Sequence, residues 1–375
     1  MKYRLQLILI IVFLSQFCAE ADKEYLEFYN KLKAEEAYIG FFAAEEKCIS
    51  QITDEYLEGR KEFFLGIKNC KEDIEEFTSP FTEFLIKNKL LKEECVEEWE
   101  RVLTILGYEL YANMPIFEYS SINVIEHRSL VFAEYPNKKL ELDLFIPKEP
   151  IDNPIPAVVC IHGGGWTVNK RIWFEPFAKY LADNGIAAVT IDYRMLPAVT
   201  LMECVYDSKA AVRWVRANAD KYNIDPNRIG AIGASAGAQL VTLLGATANK
   251  PELEGKGGND DVSSEVNAVV GIATPAFKID DISDWEERFG LDGEQIKILS
   301  PYLNIDENTA SLLLIHGTAD ETVDPQDSQD LYDKYKELGV HVELKWFPDE
   351  GHGFYEGNDR AIKLAATFFK QQFSK

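Results

Sequence analysis

The sequence predicts an α/β protein, a mostly parallel sheet with helices on both faces, preceded by a small helical region. Three observations carry this expectation. Beyond Met114-Pro115, short apolar runs of strand length alternate with stretches of helical period, as in a chain of strand–helix–strand units. Several of those runs are continuous rather than alternating, as expected of strands buried on both faces. Before Ala112 the chain is rich in Glu and Lys, poor in Gly, and its apolar residues recur at helical intervals.

Composition bounds the rest. The chain has 375 residues, 46% hydrophobic and 12% aromatic, enough for one large domain and a smaller one. No repeat or low-complexity tract points to disorder. A formal charge of −24 at pH 7 argues against nucleic acid, which attracts clustered Lys and Arg. On a protein of this size it reads simply as a well-solvated surface.

The first residues read as a secretory signal. Lys2 and Arg4 give the positive start, Leu5 to Leu14 the apolar stretch, and Ala19-Glu20-Ala21 the small residues before a cut after Ala21. The apolar stretch is too short to span a bilayer comfortably, so no integral membrane span is expected. Lipid modification of Cys18 fits poorly beside bulky Phe17. The reading makes residues 1–21 a signal peptide and the protein secreted or periplasmic. Of six cysteines, Cys18 lies in that segment, leaving Cys48, Cys70, Cys95, Cys160 and Cys204. Cys160 sits in an apolar run and reads as a buried thiol. A bridge among Cys48, Cys70 and Cys95 is open, with no pair selected by spacing. None has metal-ligand spacing with a His.

In the helical region, 22–112, the apolar positions are Tyr25, Phe28, Tyr29 and Leu32, then Phe63, Phe64 and Ile67, then Trp99, Val102, Leu103 and Leu106. They predict three or four amphipathic helices in a bundle. Ser79-Pro80 reads as a helix start, with Ser79 as cap. These aromatic stripes read as core and carry no chemistry. A lid, a dimerisation surface and a substrate-binding extension all stay open, as does oligomeric state. In the catalytic domain, 116–375, strands are expected at Leu140–Ile146, Ala157–Ile161, Ala187–Ile191, Ile229–Ile232, Ala268–Ile272, Leu312–Ile315 and Val342–Trp346. Helices are expected at Phe174–Asn184, Val205–Tyr222 and Gln326–Leu338, and from near Gln239.

The strongest chemical signal is Gly233-Ala234-Ser235-Ala236-Gly237 between a strand and a helix. That is the setting of a nucleophile elbow, where a sharp turn exposes a strained serine, here Ser235. Upstream, His162-Gly163-Gly164-Gly165-Trp166 follows the strand ending at Ile161. Backbone N–H groups in such a run can stabilise an oxyanion, with Gly164 and Gly165 as donors and Ala236 as the third. Trp166 stands where it can wall an acyl pocket or simply pack. A serine hydroxyl needs a base, and the base an orienting acid. His352, in a Gly-flanked loop after the last strand, is the expected base, and Asp320, after Leu312–Ile315, the acid, with Glu321 and Asp324 as rivals. The order Ser235, Asp320, His352 suits this kind of sheet. His162 reads as a structural hydrogen-bonding residue, His316 as packing at the end of a buried strand, and His127 and His341 as surface or sheet residues. No metal cluster and no dinucleotide motif occurs, so no cofactor is expected.

Residues 116–375 resemble the α/β-hydrolase esterases related to hormone-sensitive lipase, in particular the bacterial carbohydrate-esterase branch of acetylxylan and feruloyl esterase-like proteins. The resemblance rests on HGGGW at 162–166, Asp192-Tyr193-Arg194, Asp225-Pro226-Asn227-Arg228-Ile229, GASAG at 233–237, HGTAD at 316–320 and GHGF at 351–354. Ala234 stands where the hormone-sensitive lipase group usually has Asp, which favours the carbohydrate-esterase branch. The resemblance implies hydrolysis of short-acyl carboxylic esters without a cofactor, on a small-molecule or carbohydrate ester. Two other readings stay open: an amidase, formamidase or peptidase on the same fold, and a non-catalytic binding protein on a hydrolase scaffold.

Overall fold

The computed structural model describes residues 119–375, apart from 137, 150, 152, 249, 279–284, 287–288 and 353–357. Before that it describes 75–92 and the positions Ile49, Thr53, Tyr56, Arg60, Cys95, Val96, Trp99 and Leu103. The chain divides into two compact units, Met1–Tyr111 and Ala112–Lys375. The expected signal peptide and the helices around Tyr25–Leu32 and Phe63–Ile67 lie outside the described residues.

In the first unit, helix α1 spans Glu75–Lys87. It therefore passes through Ser79-Pro80 instead of starting there. Proline has no N–H for the carbonyl four residues back, but near a helix start that leaves only one carbonyl without its donor. Phe81, Leu85, Tyr56, Trp99 and Leu103 are buried, and the Phe81 ring lies 6.2 Å from Tyr56 and 6.3 Å from Trp99. Of the positions read as core from their spacing, Trp99 and Leu103 are among these buried residues; Tyr56, Phe81 and Leu85 join them without having been expected. Ile49 makes an isolated antiparallel bridge with Leu91. Cys95 is a buried free thiol, so it takes no part in a bridge; Cys48 and Cys70 lie outside the described residues.

The second unit is built on one eight-stranded sheet: β1 Val124–Tyr135, β2 Lys138–Pro147, β3 Ile155–Ile161, β4 Ala187–Ile191, β5 Ile224–Ala234, β6 Ala268–Ile272, β7 Ser311–Gly317 and β8 Val342–Phe347. Their order is β1-β2-β4-β3-β5-β6-β7-β8. The pairs β1–β2 and β2–β4 are antiparallel and the rest parallel. The mostly parallel sheet expected from the apolar runs is therefore present. All five residues of β4 and all five of β6 are buried, which is why those two strands read as near-continuous apolar runs, broken in β4 only by Thr190. A fully buried Val, Leu or Ile contributes about 1.5–3 kcal/mol relative to exposure, so these central strands anchor the fold.

The sequence reading omits β1. Its two register irregularities, at His127/Leu130 and Val131/Ala133, break the alternation of side chains. As an edge strand it also carries exposed Glu126, Arg128 and Glu134, and so lacks an apolar signature. The strand before the elbow starts earlier than expected, at Ile224.

Helices α2 (Glu175–Asp183), α3 (Leu201–Ala217), α4 (Ala236–Ala246), α5 (Pro325–Glu337) and α6 (Asn358–Phe373) cover the sheet. Expected at Val205–Tyr222, α3 instead starts at Leu201. A capping box fixes this start: Glu203 accepts from the Thr200 backbone N–H at 2.9 Å. It ends at Ala217 and gives way to a 3₁₀ turn at Asp220–Tyr222. No described helix is long and apolar enough to cross a membrane.

The connection from β3 turns to one side of the sheet, through α2 to β4, while that from β4 returns to β5 on the other. The order reverses between neighbours β3 and β5, and the crevice beyond such a reversal is where open α/β sheets bind ligands.

Candidate active site

Ser235 occupies the turn between β5 and α4, at φ 53° and ψ −121°, a conformation sparsely populated by side-chain-bearing residues. Two hydrogen bonds hold it there. Its backbone N–H donates to the Ile272 carbonyl at the end of β6 (2.8 Å), and its own carbonyl accepts from Gln239 (3.1 Å), opening α4. The Ala236 N–H is the first of the helix and has no intrahelical acceptor; it lies at the positive end of the helix dipole. Gly237 is where α4 meets β3: a Cβ there would stand 2.1 Å from the Ile161 carbonyl oxygen. Only glycine lets helix and strand approach so closely.

The HGGGW loop leaves β3 beside this turn, since Ile161 pairs with Gly233. Gly164 has φ +107°, and a Cβ on it would lie 2.3 Å from the Val168 carbonyl oxygen. The Gly164 carbonyl is turned away, accepting from Thr167 and Val168 at 3.0 and 3.1 Å. His162 is fully buried, with Nδ1 donating to the Gly163 carbonyl (2.8 Å). Burial lowers its pKa, which keeps the ring neutral at neutral pH.

Asp192-Tyr193-Arg194 backs this loop. Asp192 accepts from the Arg171 N–H (2.9 Å). Tyr193 stacks on His162 at 4.4 Å and donates to its carbonyl (3.2 Å). Arg194 is held by Asp207 through Nη2 at 2.9 Å, and Leu196 N–H then donates to the Trp166 carbonyl at 2.8 Å. Trp166 is 2% exposed. Its indole N–H donates to Gln239 Oε1 at 3.3 Å, and its ring lies 5.8 Å from Phe277 and 5.2 Å from Phe289.

Asp320 and His352 come together from the ends of β7 and β8. The two loops are tied by Thr318 N–H to the Phe347 carbonyl (2.9 Å) and Ala319 N–H to the Glu350 carbonyl (3.0 Å). His352 Nδ1 donates to Asp320 Oδ2 at 2.8 Å. The Asp320 side chain is fully buried, while that of His352 is 29% exposed. Burial alone would raise the Asp320 pKa. The hydrogen bonds from His316 and His352, the charge on His352 and the Val323 N–H outweigh that effect and hold the carboxyl well below the usual carboxylate range. The rival acids lie elsewhere: Glu321 is exposed, and Asp324 caps α5 by accepting from Gln326 N–H at 2.9 Å. A buried, ionised carboxylate on one imidazole nitrogen leaves the other nitrogen able to exchange a proton with a hydroxyl.

The BD-FAE family model matches residues 142–335, more than half of the 375 residues. The chain belongs to the BD-FAE family. Among curated relatives it is similar to esterase LipC of Mycobacterium tuberculosis, 29% identical over 254 residues, covering 61% of this chain and 60% of LipC. The chain thus spans less than two thirds of that relative's length. Among solved structures it is similar to a truncated carbohydrate esterase from gut microbiota, at TM-score 0.61 and 27% identity, covering 67% of this chain and 97% of that one. Butyrate-bound esterase 2 of Thermogutta terrifontis matches at TM-score 0.59 and 30% identity, covering 65% of this chain and 93% of that one. These neighbours share the α/β-hydrolase fold found here.

In this BD-FAE chain the structure gives each expected site residue a defined place: Ser235 and Ala236 on the elbow, Gly164 and Gly165 on the adjoining loop, Asp320 against His352. Gly353 and Phe354 of the GHGF motif lie outside the described residues. His127 sits on β1 with its ring 5.2 Å from Tyr222, and His341 has its ring 6.2 Å from Phe368. His316 differs from expectation. Both of its ring nitrogens are hydrogen bonded, Nε2 to Asp320 Oδ2 (3.0 Å) and Nδ1 to Ser328 Oγ (2.6 Å), so it is a polar partner of Asp320 and not simply packing. Tyr193 was visible in the sequence only as part of the Asp192-Tyr193-Arg194 motif and Gln239 only as a position near a helix start; neither carried an expected role. Among the described residues no group of three His, Cys, Asp or Glu could hold a metal ion.

Proposed function

We propose that this protein is an exported serine carboxylic ester hydrolase acting on short-acyl esters, and that acetylated carbohydrate is its substrate class. The observation that carries the reading is the 2.8 Å contact of His352 with buried Asp320, on the same edge of the sheet as a strained Ser235. Ser235 attacks the ester carbonyl while His352 takes its proton; Asp320 orients the ring and stabilises its charged form. The N–H groups of Gly164, Gly165 and Ala236 stabilise the oxyanion. His352 then returns the proton to the departing alcohol, and water repeats the sequence to release the acid. Trp166, next to Gly165, borders the acyl group.

Likeness to a carbohydrate esterase and to a butyrate-bound esterase supports the short acyl group and the carbohydrate alcohol. The charged start, apolar stretch and small residues of 1–21 support export. The direct test is hydrolysis of p-nitrophenyl acetate by the wild type and by Ser235→Ala: the variant is expected to lose about 10⁴-fold or more in kcat, and undiminished turnover would remove Ser235 from the mechanism. Acetylated xylan, feruloylated xylan and aminoacyl anilides in one panel test the substrate, and preference for the anilides would overturn the ester reading. An N-terminus at Asp22 in protein recovered outside the cytoplasm tests export.

A further inference from the structure

We infer that His316 is a positioning residue for the triad, holding the Asp320 carboxylate in the orientation that His352 needs. This inference rests on the hydrolytic reading of Ser235, His352 and Asp320. His316 Nε2 lies 3.0 Å from Asp320 Oδ2 and 3.1 Å from the Val323 carbonyl oxygen. Both of those oxygens only accept, which assigns the proton to Nε2. In the neutral ring Nδ1 is then an acceptor, and Ser328 Oγ, 2.6 Å away on α5, donates to it. His316 and Ser328 are fully buried, and water has no access to substitute for either bond.

The carboxylate's four acceptor positions are filled in a divided way. Oδ1 accepts the N–H groups of Thr322 and Val323, each at 2.9 Å. Oδ2 accepts His316 at 3.0 Å and His352 at 2.8 Å. Rotation about the Cβ–Cγ bond moves both oxygens together, so the backbone pair on Oδ1 and a buried donor on Oδ2 restrain the same torsion from its two ends. His316 is the restraint on the Oδ2 side, since His352 is itself the group to be oriented. Ser328 Oγ on α5 holds the imidazole from behind, so strand β7, its turn and the helix that follows act as one clamp. A residue that merely packed at this strand end would use neither ring nitrogen.

The test compares wild type, His316→Phe, His316→Gln and Ser328→Ala by p-nitrophenyl acetate kinetics, by fluorophosphonate labelling and by proton NMR of the far-downfield His352 Nδ1–H. For His316→Phe, kcat falls about 10- to 100-fold, as expected when a reacting group is slightly misplaced. KM stays within about twofold, and the downfield proton moves or broadens. His316→Gln, whose amide can still donate toward Oδ2, recovers much of the loss, and Ser328→Ala shows a smaller loss than His316→Phe. A folded His316→Phe with wild-type kcat and an unmoved resonance overturns the inference, as does equal loss in the Phe and Gln variants. Should His316→Phe not fold, wild-type kcat in both other variants overturns it. Failure of the hydrolytic reading looks different: the wild type itself neither turns over the ester nor takes the label, while the NMR comparison still reports on the His316–Asp320–His352 contact.

Discussion

Gly237 passes so close to Ile161 that a methyl group on it would stand 2.1 Å from the Ile161 carbonyl oxygen. The obstacle is backbone, which cannot rotate away as a side chain would. Gly237→Ala must therefore push α4 off β3 and displace Ser235, two residues earlier. We expect destabilisation of about 1–3 kcal/mol from overpacking and a loss of activity larger than stability alone explains. Denaturant unfolding together with kcat at a fully folded temperature checks this, and a variant with wild-type turnover would refute it.

Gly164 offers a second steric test. Its φ is +107°, and a methyl group on it would meet the Val168 carbonyl oxygen at 2.3 Å. Gly164→Ala is therefore a direct perturbation of the N–H groups proposed to stabilise the oxyanion. Loss of one such donor costs about 10²–10³ in kcat. The expected signature is that fall with little change in KM for p-nitrophenyl acetate. A change confined to KM would take Gly164 out of the oxyanion role.

Trp166 tests the proposed acyl side of the site. It packs against Phe277 and Phe289 and is anchored through Gln239. Trp166→Phe keeps the ring and loses the N–H; Trp166→Ala opens space beside the oxyanion loop. We expect Trp166→Ala to shift preference from acetate toward butyrate and hexanoate esters, by about tenfold per 1.4 kcal/mol of altered binding. Unchanged acyl preference in Trp166→Ala would confine this residue to packing.

Acid stability follows from Asp320. Its pKa is depressed in the folded protein, so the ionised carboxylate favours the folded state. That contribution is complete above the unfolded-state value of about 3.9 and is lost as pH falls through the lower folded-state value. Asp320→Asn has no such proton to bind. Between about pH 4 and pH 2, wild-type stability should therefore fall more steeply than that of the variant. Parallel slopes in denaturant titrations across this range would contradict the assignment.

What the sequence made legible follows from the strength of each local signal. Strands β4 and β6 read at their observed limits because every residue in them is buried, leaving a run that is apolar but for Thr190. The strand–turn–helix at Ser235 read clearly because glycines are needed on both sides of it, although β5 starts at Ile224 and α4 at Ala236, ahead of the expected limits. Strand β1 did not, because an edge strand with two irregularities has no periodic face. The start of α3 turned on a side-chain cap at Thr200 and Glu203, a signal present but outweighed by the apolar pattern from Val205. The second imidazole on Asp320 was hidden for another reason. His316 looks like a strand terminus in one dimension, and only the fold of the 317–320 turn and the approach of α5 give its two nitrogens their partners.

The sheet order has a consequence for the timing of activity. Ser235, the proposed nucleophile, follows β5 in the middle of the sheet, whereas Asp320 and His352, its proposed acid and base, follow β7 and β8, the last two strands at one border. A ribosome therefore releases Ser235 more than a hundred residues before His352. During that interval the proposed nucleophile lacks the base it needs, because His352 has not yet been made. On the proposed mechanism, competence arrives only when β8 pairs with β7 and brings His352 to Asp320, so turnover would report completion of the sheet.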